Sequence, residues 1–373
     1  MKVKFWSKMT GMLAGAIVAV FFIGFAAVSQ VMNADAIMSG QEQGITSSFP
    51  VMAESDSQVI PMKALLLTAS AQDFSPTSLQ NMYYNRADRA IRIPKAGGTR
   101  MGFTVAQHVD LYQQYQYILI LPADASGHLG FGTLRISDPL LRSVTIEQNA
   151  QGNTQLIFQG EQILALEVLE DAANYYIRIM HPREKYPLIV VIDPGHGGSD
   201  PGAISRGIRE SDLNLAVSRY LIELIEAGGE VKAYTIRNSD IGMEVRERAY
   251  FGNRVGDLFV SIHHNASRDP GVHGIETLYS RRQVTASSLD SQTFAEIMQR
   301  NKADELGSRE LRVRSRGFAV LRHTTIPAAM VELGFMSNAR ELDRMVTEEF
   351  QRSAARAIYN GILETFEAYT PPR

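Results

Sequence analysis

The sequence predicts an α/β domain with a mostly parallel central sheet flanked by helices, preceded by a β-rich, sandwich-like domain. Three observations carry this. Residues 188–192 are an unbroken apolar, β-branched run, the pattern of a strand buried on both faces of a parallel sheet. Beyond Tyr186-Pro187 such runs alternate with helical periodicity. Before it, from 59 to 181, short apolar stretches recur between turn signals with little helical pattern.

The chain has 373 residues, a length that suits two domains and a leader. Its formal charge of -3 provides no basic excess, which argues against a nucleic-acid partner. It contains no cysteine, so disulfides, thiolate-held metals and thiol catalysis are excluded. Any transition-metal site must be built from histidine and carboxylate.

Lys2, Lys4 and Lys8 precede an apolar run over 12–28, followed by Ser29-Gln30 and Ala34-Asp35-Ala36. A basic start, an apolar middle and a small-residue exit are the parts of an export signal. The run is long for a signal core and just short of a comfortable span. Residues 1–36 are therefore read as a signal peptide cut after about Ala36, or as a retained anchor. Either way the remainder is expected outside the cytoplasm, touching the membrane only through this segment. Residues 37–58 are polar without period and read as a linker.

In the β-rich domain, 59–181, strands are expected at 64–67, 90–93, 117–121, 144–147, 155–158, 163–168 and 175–180. Turns at 124–127 and 149–153 punctuate them. His108 and His128 have no ligand-type neighbour at metal spacing and are expected on the surface. A binding or targeting role, or that of a spacer, suits this part.

In the second domain, 187–369, the strand over 188–192 runs into Asp193-Pro194-Gly195-His196-Gly197-Gly198. This turn presents His196 at the strand's C-terminal end, the rim where open α/β sheets bind ligands. Ser211 is placed to cap a helix whose apolar stripe is Leu213, Ala216, Val217, Tyr220, Leu221 and Leu224, stopped by Gly228-Gly229. Strands follow at 231–236, 258–262, 275–279, 319–321 and 328–331, with helices at 243–254 and 293–303. A terminal helix has Ala354, Ala357, Ile358, Ile362 and Phe366 on one side.

Three strand ends thus deliver His196, His263 or His264, and Glu332, and Glu210 stands where the first loop enters its helix. Two imidazoles and a carboxylate around an open position are a ligand set for catalytic zinc. A further carboxylate would move the proton, and Glu210 and Glu332 could divide those roles. Adjacent strand residues face opposite sides, so only one of His263 and His264 can join the group. Each residue also has a plainer reading: an exposed turn histidine, a carboxylate complementing a helix N-terminus, a buried carboxylate paired with arginine. Gly195-His196-Gly197-Gly198 is no phosphate cradle, for it lacks the Lys-Ser/Thr of that motif. Glu276 is read as support for the site or as a surface ion pair, and His323, near Pro327, as an exposed loop residue ahead of one lining the substrate groove. Arg237 and Arg248 are expected to hold Asp240 and nearby loops.

The motifs, in order, are Asp193-Pro194-Gly195-His196-Gly197-Gly198, Asp200-Pro201-Gly202-Ala203 and Glu210-Ser211-Asp212-Leu213-Asn214-Leu215. Then come Arg237-Asn238-Ser239-Asp240, Arg248-Ala249, Ser261-Ile262-His263-His264-Asn265-Ala266, Gly274-Ile275-Glu276 and Val331-Glu332-Leu333-Gly334-Phe335-Met336-Ser337-Asn338. Across 187–369 this resembles the zinc-dependent N-acetylmuramoyl-L-alanine amidases of the type-3 family. The resemblance implies Zn2+ held by His196, Glu210 and His263, with Glu332 as the catalytic carboxylate. It implies hydrolysis of the amide between N-acetylmuramic acid and L-alanine in peptidoglycan, as a secreted, cell-wall or periplasmic enzyme. Where the family usually has alanine after the second ligand histidine, this chain has His264. The interval from Glu276 to Arg316-Gly317 is too short for the inhibitory helix that some members carry. Residues 59–181 resemble, more loosely, the β-rich AMIN modules associated with envelope targeting. Two other readings compete: a zinc peptidase cutting within the stem peptide, and a wall-binding protein with a silent site.

Overall fold

The computed structural model describes residues 78–79, 81–95, 107–111, 114–121, 128–284, 287–369 and 371. The expected leader, the linker, the strand at 64–67 and the turn at 124–127 lie outside them.

Ten strands open the described chain: β1 (Ser78–Leu79), β2 (Met82–Asn85), β3 (Ala90–Pro94), β4 (Gln107–Leu111), β5 (Gln116–Leu121), β6 (Gly132–Arg135), β7 (Leu141–Gln148), β8 (Thr154–Gly160), β9 (Ala165–Glu170) and β10 (Asn174–Met180). They form two five-stranded sheets, ordered β1-β2-β3-β10-β9 and β4-β5-β8-β7-β6. Every pairing in them is antiparallel. Strict alternation in β8, with Thr154, Leu156, Phe158 and Gly160 buried, aims one face inward. Met82, Ile91 and Ile177 of one sheet share a core with Leu119, Val144 and Phe158 of the other, so the two sheets pack face to face. His128, expected on the surface, is half-buried because its Nε2 lies 2.7 Å from the Pro94 carbonyl oxygen.

A single turn, α1 (Pro182–Lys185), leads to β11 (Ile189–Pro194), the hairpin β12 (Ile204–Ser205) and β13 (Ile208–Arg209), and α2 (Glu210–Gly228). The chain continues through β14 (Lys232–Thr235), α3 (Val245–Val255), β15 (Leu258–Asn265), β16 (Ile275–Tyr279), α4 (Ser291–Leu306), β17 (Glu310–Ser315), α5 (Ala319–His323), β18 (Ala328–Phe335), α6 (Ala339–Met345) and α7 (Glu348–Ala368). The central sheet is ordered β14-β11-β15-β18-β16-β17. Only the β16–β18 pairing is antiparallel; the other four are parallel, as expected.

Both faces of this sheet are covered, which is why β11 reads as a continuous apolar run. Val190 and Ile192 join the core under α2, α4 and α7, while Ile189 and Val191 pack with Phe251, Val255, Val320 and Leu321 of α3 and α5. The terminal helix buries Ala354, Ala357, Ile358, Ile362 and Phe366, the face its spacing predicts.

Three further expectations need correction. Residues 319–321 were too short a run to separate strand from helix by period, and they form α5. Ser211 does not cap α2: the helix begins at Glu210 with Arg209 in the cap position, and the Ser211 hydroxyl is buried without a partner. The stripe of α2 is also turned, burying Leu215 and Ile225 while Ala216, Tyr220 and Leu224 are half-covered, because β11 and α7 flank that helix.

Candidate active site

The C-terminal ends of β11, β15 and β18 lie side by side, since all three run parallel in register. His196 follows β11, His263 lies near the end of β15, and Glu332 is its register partner on β18. Glu210, first residue of α2, is brought over the same edge. All four line one cleft of about 770 Å³.

Glu210 joins the two imidazoles. Its Oε2 is 3.2 Å from His196 Nε2 and its Oε1 is 2.9 Å from His263 Nδ1. The rings meet edge to face with centroids 4.9 Å apart. One donor atom from each of the three residues falls within 4.8 Å of the others. Bonds of about 2.0 Å at tetrahedral angles separate neighbouring ligand atoms by roughly 3.3 Å, a spacing close to the two Glu210–histidine contacts, so the donor set suits zinc.

The backbone around these side chains admits no Cβ. An alanine at 195 would set its Cβ 2.2 Å from the His263 ring, and one at 202, where φ is +65°, 2.6 Å from Glu210 Oε2. His196 itself has φ 63°, a left-handed conformation uncommon outside glycine that marks local strain. Two buried arginines hold that turn in place. Arg248 donates to the His196 carbonyl at 2.7 Å, to the Pro194 carbonyl at 3.0 Å and to Asp193 at 2.8 Å. Arg237 donates to the carbonyls of Pro194 and Gly195, each at 2.9 Å, and of Ser211 at 2.7 Å. Both do hold loops, as expected, but Asp240 pairs instead with Arg209, 3.0 Å away.

Burial opposes a charge on His196, but the Glu210 and Asp200 carboxylates outweigh it and raise its pKa to about 9. Burial likewise opposes the Glu210 carboxylate, yet the two histidines hold it far below the usual range. Asp200 Oδ2 lies 2.7 Å from His196 Nδ1, which leaves Nε2 facing Glu210. Glu332 is different. Its Oε2 is buried without a hydrogen-bond partner, and burial raises its pKa to about 7.

Between the adjacent histidines, His263 belongs to the group and His264 is buried outside it, with Nδ1 2.8 Å from Asn214 Oδ1. Asn214 in turn donates to the Gly195 carbonyl at 3.2 Å and to Glu210 at 3.3 Å. Glu276 is buried rather than a surface residue, accepting from Asn265 and Arg314 at 2.8 Å each. His323, expected in an exposed loop, is instead half-buried at the end of α5 and does not line the cleft. Asp200 and Asn214 were not assigned roles from sequence, although both sit four residues beyond a site residue. Lys302 was missed as well. Its signal was an amine in line with Phe294 and Met298 on an apolar helix face, fully buried in the structure.

A family model described as N-acetylmuramoyl-L-alanine amidase matches residues 190–364. The chain is 25% identical over 296 residues to the N-acetylmuramoyl-L-alanine amidase LytC of Bacillus subtilis (strain 168), covering 78% of this chain and 58% of LytC. It is 36% identical to the protein YqiI of the same strain, covering 46% of this chain and 82% of YqiI. Among solved structures, the catalytic domain of CwlV, an N-acetylmuramoyl-L-alanine amidase from Bacillus (Paenibacillus) polymyxa var. colistinus, is 33% identical. That match covers 48% of this chain and 98% of the CwlV domain, with a TM-score of 0.45. The chain thus spans little more than half the length of LytC.

Proposed function

Because the chain belongs, through residues 190–364, to the N-acetylmuramoyl-L-alanine amidase family, we propose that it is a zinc-dependent peptidoglycan amidase. In this reading it hydrolyses the amide between N-acetylmuramic acid and the L-alanine of the stem peptide. The observation that carries it is the convergence of His196, Glu210 and His263 in one cleft with Glu332, whose Oε2 is buried without a hydrogen-bond partner.

His196, Glu210 and His263 would hold the metal, with Asp200 and Asn214 fixing two of them. A zinc ion held there supplies Lewis acidity toward the amide carbonyl and the attacking water. Glu332 takes the proton that water gives up and delivers it to the departing L-alanine nitrogen as the C–N bond breaks. A carboxyl with a pKa of about 7 is matched to passing a proton in both directions near neutrality. Apolar groups, among them Val245, Phe318 and Met330, line the same cleft.

We further assign 59–181 to a β-rich, AMIN-like envelope-targeting domain, supported by the two sheets and their separate core. The export features of residues 1–36 support an extracytoplasmic location, in the wall or periplasm. No described helix is long and apolar enough to cross a membrane.

The test is mass spectrometry of the products released from purified peptidoglycan. Intact stem peptides with a free L-alanine amine are expected. Fragments cut within the stem would make the protein a peptidase, and no release by the zinc-loaded chain would make it a binding protein.

A further inference from the structure

Lys302 takes no part in the chemistry above, and packing alone does not account for it. It lies on the apolar face of α4, fully buried, where a leucine or methionine would fill the same space without desolvating an ammonium. Its Nζ donates to the carbonyl oxygen of Glu276 at 2.6 Å and to that of Glu332 at 3.2 Å. These residues face each other in the antiparallel register of β16 and β18, so one amine ties both strands at the level of the site.

The Glu276 side chain is already fixed by Asn265 and Arg314. Oε2 of Glu332 has no such partner, which leaves the Glu332 backbone as the anchored part of that residue. We propose that Lys302 is a positioning residue for Glu332, anchoring the Glu332 carbonyl from behind the sheet so that the free carboxylate stands beside the His196–Glu210–His263 group. This rests on the role given to Glu332 above.

A double-mutant cycle in the full chain separates positioning from general support. Lys302→Met, Glu332→Ala and the double variant are compared for steady-state hydrolysis of a soluble muramoyl-tripeptide, zinc per chain and thermal unfolding. Lys302→Met is expected to lower kcat at least tenfold with KM within twofold and zinc content unchanged. On the Glu332→Ala background it is expected to change the residual rate less than twofold. Equal losses in both backgrounds, zinc lost together with rate, or an unchanged kcat would overturn the proposal. Should Lys302→Met not unfold cooperatively, Lys302→Gln enters the same cycle under the same criteria. Failure of both to fold makes Lys302 purely structural and also overturns it. An unaltered chain without turnover overturns the amidase reading, and this inference with it. An active chain with additive losses overturns only Lys302.

Discussion

At the scale of single residues, the site is a contest between desolvation and charge, and His196 and Glu210 show how it ends. Without metal, Glu210 stays ionised because the two imidazoles face it, and His196 holds its proton up to a pKa of about 9. Zinc needs a neutral imidazole, so binding must expel that proton. Zinc affinity is therefore expected to rise roughly tenfold per pH unit between about 6.5 and 9 and then level off, as read by competition with a chelator. Affinity that is flat across this window would contradict the His196 assignment. The sign for stability of the metal-free chain follows from the same shifts. The raised pKa of His196 stabilises it fully below about 6.5, a contribution lost as pH rises through 9. The lowered pKa of Glu210 stabilises it above about 4.5, a contribution lost as pH falls. The metal-free melting temperature should accordingly peak between these limits, while the zinc-loaded form holds its stability above pH 7.

Much of this was legible residue by residue. A histidine on a Gly-rich turn, a carboxylate opening a helix and a carboxylate ending an apolar strand each announce themselves by type and place. The choice of His263 over His264 was legible only through the family resemblance, because period-2 alternation says that one of the two leaves the group without saying which. Asp200 and Asn214 were hidden for another reason: their roles depend on what the fold sets opposite them.

At the scale of elements, the strained turn after β11 is held by α3 through Arg248 and by Arg237, two residues beyond β14. Arg248 and Asp193 form a buried pair 2.8 Å apart, so removing the cation leaves a carboxylate uncompensated. Arg248→Met is expected to lower stability by about 3–5 kcal/mol in urea unfolding. It should also weaken zinc binding, because the His196 carbonyl loses its donor. A loss under 1 kcal/mol would mean that the turn is held without it. The strands of the central sheet were readable because both faces are buried. The strand β17 was not, because its burial pattern is mixed and its residues alternate with charge. The helix α6 hides behind a cap, Asn338, whose side chain accepts from Arg340 and Glu341 backbone amides.

At the scale of the whole molecule, the β-rich part and the central sheet have separate cores, and named contacts join them. Ile163 packs among Ile189, Val191 and Val255, and Arg183 donates to the carbonyls of Val255 and Gly256 at the end of α3. A chain lacking residues 1–181 is expected to keep zinc binding and hydrolysis of soluble muramoyl-peptides. It is expected to bind sedimented peptidoglycan at least fivefold less than the full chain. Equal sedimentation would assign the sheets a spacer role.

The account as a whole turns on a division of labour: three side chains hold the metal and a fourth handles the proton. Zinc content and turnover measured together on Glu332→Ala test this most directly. About one zinc per chain with stem-peptide release lowered 100-fold or more is the expected result. Undiminished release, or loss of the metal along with the activity, would contradict it.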